Sequence, residues 1–130
     1  MSARAFEETM TLALANLVRA GVPLRGVRLT VRELFVARME RGPLGPREIS
    51  EAVEAAVRAA CQLVREMEAP DEIVETVCRG ALEAVRGHGG ESARWLAEAT
   101  SAVSAVLDEL ARERVNDPSW RWLARRLPRW

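Results

Sequence analysis

The chain has 130 residues, 48% apolar and 29% charged, with basic and acidic side chains in equal number. This is the size of one ordinary domain, able to bury roughly two thirds of the surface its unfolded chain exposes, and the balance excludes a disordered chain and a whole-molecule polyanion binder. All 19 basic residues are Arg, with no Lys and no Tyr, a usage that GC-rich codons explain and that removes Schiff-base lysine, lysine general-base and tyrosine general-acid chemistry.

Helix periodicity dominates the chain. A first helix is expected over about 4–20, where Phe6, Met10, Ala13 and Leu17 make an apolar stripe, ended by Gly21 and Pro23. Residues 21–29 read as a loop. A short second helix is expected over 31–41, opened by a Thr30/Glu33 capping box and carrying Val31, Leu34, Phe35 and Met39. Gly42, Pro43, Gly45 and Pro46 break it. Pro46 then suits the first position of a third helix, where its missing N–H costs nothing. That helix, 46–68, carries Ile49, Val53, Ala56, Ala60, Leu63 and Met67, a seam stepping 4, 3, 4, 3, 4.

Ala69 and Pro70 turn the chain into a fourth helix, 70–86, with Asp71 and Glu72 at its positive end and Val74, Val77, Ala81 and Ala84 on its seam. Gly87, His88, Gly89 and Gly90 form the next loop. The fifth helix, 91–115, carries Leu96, Ala99, Val103, Val106 and Leu110, while its other sides hold the small residues Ala97, Ser101, Ser104 and Ala105. Asn116, Asp117 and Pro118 make a final break. A shift of 21 residues, three heptads, superposes Glu51, Val53, Glu54, Arg58, Ala60, Val64 and Arg65 on Glu72, Val74, Glu75, Arg79, Ala81, Val85 and Arg86; duplication and convergence on one amphipathic pattern explain it equally well.

The fold expected is all-α: a bundle of about five helices with a central antiparallel hairpin, 46–86, and the fifth helix beside it. It divides into a bundle over 1–117 and a basic, Trp-rich helix or tail over 118–130. The longest uncharged run of the first helix, 9–18, is too short to span a bilayer, and Glu7 and Glu8 before it do not suit a signal peptide, so a cytoplasmic location is expected.

Few constellations carry chemistry. Glu51-x-x-Glu54 and Glu72-x-x-Glu75 resemble the carboxylate pairs of helical metal sites, but the accompanying His is missing and successive antiparallel helices place the pairs at opposite ends of the hairpin. His88 is the single histidine, in a glycine loop with no Cys or His at metal-ligand spacing. Cys61 and Cys78 are equidistant from the Ala69/Pro70 turn and so fall level across the hairpin; they read as two small buried thiols, with a redox pair as the alternative. No acid, base and orienting group come together, so no catalytic, cofactor-binding or metal residues are assigned and no enzyme is expected.

Charge is uneven along the chain. Residues 19–47 hold seven Arg and two acids, 48–75 two Arg and eight acids, and 112–130 six Arg and two acids. Opposite-sign segments point to pairing within or between chains. Residues 41–53, with the segment GPLGPREISEAV, resemble the opening of a winged-helix DNA reader, but the heptad runs on from Ala55 to Met67 without the turn that would launch a recognition helix. The Arg cluster at 25, 28, 32, 38, 41 and 47 keeps nucleic-acid binding as a third reading behind two others.

The strongest local anomaly is 118–130, with four Arg, three Trp and no acid. As a helix it sets Trp120, Leu123, Ala124, Leu127 and Trp130 on one face and Arg121, Arg125, Arg126 and Arg129, with Trp122, on the other. Trp120, Trp122, Arg125, Arg126 and Trp130 are the interaction candidates. They suit docking on the chain's own core, on a second copy or protein partner, or on an anionic membrane surface. In composition and heptad helices the chain is loosely similar to bacterial granule-coating phasins, which implies a lipid-granule surface for that last reading. The two-sided fifth helix and the opposite-sign segments favour a self-associating interaction or scaffold protein, most simply a homodimer.

Overall fold

A computed structural model describes residues 3–41, 45–67, 69, 72–87 and 92–113, with the backbone alone for 3, 46, 92–96, 107 and 110–113. These residues form five α-helices: α1 (Ala3–Arg19), α2 (Leu24–Glu40), α3 (Pro46–Met67), α4 (Glu72–Arg86) and α5 (Ser92–Glu113). The fold is an all-α bundle, and no strand occurs among the described residues. Its centre is the α3–α4 hairpin. On it α1 packs against α3, α2 packs against α4, and α5 lies across both. The hairpin is therefore covered from two sides, and the core runs through it.

The seams explain this arrangement. Ile49, Val53, Ala56, Ala60 and Leu63 of α3 are buried, as are Val74, Val77, Ala81 and Ala84 of α4 and Ala99, Val103 and Val106 of α5. Burial in α3 extends round to Ala52, Ala55, Val57, Ala59 and Cys61, the pattern of a helix enclosed by neighbours on several sides. Small side chains make it possible, since interaxial distance is set by the residues at the contact. Pro46 does open α3, and Ile49 N–H donates to the carbonyl of Gly45 at 3.1 Å.

The outer helices carry the bulk. In α1 the fully buried positions are Phe6, Met10 and Leu14, four residues apart, while Ala13 and Leu17 are only half-buried. In α2 they are Val27, Val31, Phe35 and Met39. The two rows meet where the Phe6 and Phe35 rings pack edge to face, 5.1 Å between centroids and 79° between planes.

The start of α2 differs from the sequence expectation. Residues 24–29 are helix rather than loop, and Thr30 and Glu33 form no capping box. Thr30 Oγ1 instead donates to the carbonyl of Gly26, 2.9 Å away and one turn back. The helix opens at Pro23, whose φ of −60° and ψ of 154° place it in the extended region with no side-chain cap. Burying Val27 explains the extra turn: a fully buried valine is worth about 1.5–3 kcal/mol, against about 1 kcal/mol for a side-chain cap. The preceding turn is a Schellman closure of α1. Gly21 sits at φ +69°, its N–H donates to Val18, and Val22 N–H donates to Leu17. Val22 then folds over Gly26, where a Cβ would lie 2.6 Å from Val22 Cγ1.

Candidate interaction surfaces

The candidate residues fall into three groups. Cys61 and Cys78 both stand as buried thiols. Burial raises the Cys78 thiol far above its ordinary value, with Cys61 and then Glu75 adding to the effect against a backbone hydrogen bond. The predicted level placement thus brings the two cysteines within electrostatic reach, inside a core whose described buried side chains are all apolar. A thiol held protonated is a poor nucleophile.

The glutamate pairs are engaged in ordinary helix chemistry. Glu51 accepts from Arg47 at 3.2 Å and Glu75 from Arg79 at 3.0 Å, both one turn apart on a single helix. Among the described residues no three His, Cys, Asp or Glu side chains assemble into a metal-binding group, and no helix is long and apolar enough to cross a membrane. His88 and the segment 118–130, with Trp120, Trp122, Arg125, Arg126 and Trp130, lie outside the described residues.

Ion pairs link neighbouring helices at a few points. Arg58 of α3 donates to Glu109 of α5 at 3.0 Å, and Arg28 of α2 faces Glu83 of α4 at 3.7 Å. Both pairs are partly exposed and each contributes at most about 1 kcal/mol. They join helices that the buried seams already place side by side.

Among the described residues, two concave surfaces lie where helices meet, besides a smaller hollow of about 360 Å³ lined by α2 residues from Leu29 to Glu40. The first is a furrow of about 480 Å³ along α5 and the start of α3, lined by Ser50, Glu54, Ala97, Glu98, Ser101, Ala102 and Ala105. Ala97, Ser101 and Ala105 are exposed, so the small-residue side of α5 expected from the sequence faces outward while Ala99, Val103 and Val106 fill the core. The second is a groove of about 680 Å³ between α1 and the end of α3. Its apolar wall is Leu12, Ala15, Leu63 and Met67, and Leu12 is 63% exposed. Nothing in the sequence singled this groove out. Its one signal is that Leu12 stands off the Phe6/Met10/Leu14 row. Compared with family models, curated proteins and solved structures, the chain has no match.

Proposed function

We propose that the protein is a non-enzymatic helical interaction module that self-associates through the outer side of α5. The observation that carries this reading is the α5 furrow. Ala97, Ser101 and Ala105 leave the helix backbone open to close approach, which a second helix uses best. Glu54 and Glu98 at its edges face the same side, and the Arg-rich segments of a second copy supply the opposite charge. No chemistry is assigned to the furrow: its lining is small, hydroxylic or acidic, with no histidine or cysteine among those residues.

Molar mass by light scattering, at low and high salt, tests this. The expected result is a multiple of the 14.4 kDa chain mass, lowered to the monomer by Ala105→Arg, an exposed position whose substitution leaves the core intact. Salt should weaken the association if the charged segments contribute. A monomer at high concentration under both conditions would end the proposal.

A further inference from the structure

The α1/α3 groove has a specific candidate to fill it, and the register of α5 identifies that candidate. Arg58 pairs with Glu109, 51 residues apart. Ser50 and Glu54 line the furrow with Ser101 and Ala105, at the same offset. Thus α5 runs parallel to α3, and its last residue, Glu113, comes level with Gln62. Gln62 lies one helical turn beyond Arg58 on the same side of α3, and it lines the α1/α3 groove. The chain therefore leaves α5 at the mouth of this groove. α1 and α5 both pack on α3, so at most about two interaxial spacings of 8–10 Å separate them. Five further residues span about 17 Å when extended, comparable with that distance, and the thirteen residues of the Trp-rich segment extend the reach further.

The chemistry of the two partners matches. The groove offers Leu12, Ala15, Leu63 and Met67 as an apolar floor, with Glu7, Glu8 and Glu66 against Arg4 and Arg19 on its rims. Arg4 already faces Glu8 at 3.6 Å, and Glu66 accepts a hydrogen bond from Gln62 at 3.0 Å. Residues 118–130 bring four Arg and no acid, and in a helix Trp120, Leu123, Leu127 and Trp130 share one face. We propose that the α1/α3 groove is the docking site of the chain's own segment 118–130, its Trp/Leu face on Leu12 and Met67 and its Arg toward Glu7, Glu8 and Glu66. The inference is independent of self-association through α5, since the groove and the furrow lie on different parts of α3.

Limited trypsin digestion of the full chain, read by mass spectrometry, tests it. Cleavage of a segment that opens and closes rapidly tracks its open population. Leu12→Ser removes the most exposed apolar contact, and Glu66→Arg reverses a rim charge; both side chains are exposed, and circular dichroism checks that the helices persist. Each substitution should speed cleavage after Arg121, Arg125 and Arg126 about tenfold, as expected for loss of roughly 1.4 kcal/mol of docking, while cleavage after Arg41 keeps its rate. Equal rates at the three tail sites in the wild type and both variants would overturn the proposal. So would protection that disappears on dilution to the monomer, since the segment would then be seated on a second copy.

Discussion

The two outer joints of the bundle, α1 on α3 and α2 on α4, start from helices of one design and end differently. The 21-residue shift that superposes α3 on α4 places Ala59 on Gly80. Both positions are buried, but at Gly80 an added Cβ would lie 2.8 Å from the Arg28 carbonyl oxygen and 3.1 Å from Val31 Cβ. Here α2 brings its backbone directly onto α4. On α3 the equivalent residue keeps its methyl group, and the α1/α3 joint opens into the Leu12 groove. A missing methyl closes one joint; the other retains a concavity. The repeat thus shares a seam without sharing a surface, and the asymmetry lies in what the seam's neighbours do.

The largest expected effect breaks the closed joint. Gly80→Val must displace a backbone carbonyl, which cannot rotate away as a side chain would, and should cost about 3 kcal/mol. Gly80→Ala meets the same carbonyl but gains about 1 kcal/mol of helix propensity, leaving a net loss near 1 kcal/mol. Ala59→Gly on the other joint should lose about 2 kcal/mol, from helix propensity and the buried methyl group together. Urea denaturation midpoints of the variants decide this. If Gly80→Val is as stable as wild type, the α2–α4 contact is looser than the geometry describes.

A smaller effect comes from the thiol at the centre of the hairpin. Burial holds Cys78 protonated far above its ordinary value of 9.0. The unfolded chain releases that proton as pH passes 9 while the folded chain keeps it, so stability is full below pH 9 and falls above it. The loss should reach about 1.4 kcal/mol by pH 10 from this group alone. The chain's composition makes the measurement clean: with no Lys and no Tyr, cysteines are the side chains that titrate in this window. Chemical denaturation at pH 8 and pH 10, with Cys78→Ala as control, should show the extra loss only where the thiol is present.

What was legible in the sequence follows the same division. The inner helices could be read because their contacts repeat along the chain: Ile49 to Leu63 and Val74 to Ala84 keep heptad phase, and Pro46 marks a helix start by its own covalent geometry. The hairpin follows from that phase, and the level placement of Cys61 and Cys78 from their equal distance to the Ala69/Pro70 turn; the small side of α5 is legible as composition, whereas its outward facing depends on where the neighbouring helices stand. The outer helices were harder. In α1 the fully buried row passes through Leu14, and the period alone did not separate it from Ala13. The α1/α3 groove depends on how far two helices stand apart, and no spacing along either helix encodes that distance. The clearance at Gly80 is likewise a property of two backbones together.

The start of α2 departs from its local sequence pattern for a different reason, and that departure supplies the smallest and most discriminating prediction. Thr30 and Glu33 match a capping box in spacing and residue type. A local motif of that kind states what a helix start would use, not whether the helix starts there. The decision belongs to Val27, buried one turn earlier beneath the bundle, and to Pro23, whose extended conformation sets the chain up for α2. Thr30 is left with a back-bond to the Gly26 carbonyl, an interaction with little net value inside a helix. A capping threonine replaced by alanine costs about 1 kcal/mol, whereas an interior threonine so replaced gains helix propensity. Thr30→Ala should therefore leave stability unchanged or raise it by a few tenths of a kcal/mol. The measurement is again a denaturation midpoint, and a loss near 1 kcal/mol would mean that α2 begins at Val31 after all, with the outer joint correspondingly shorter.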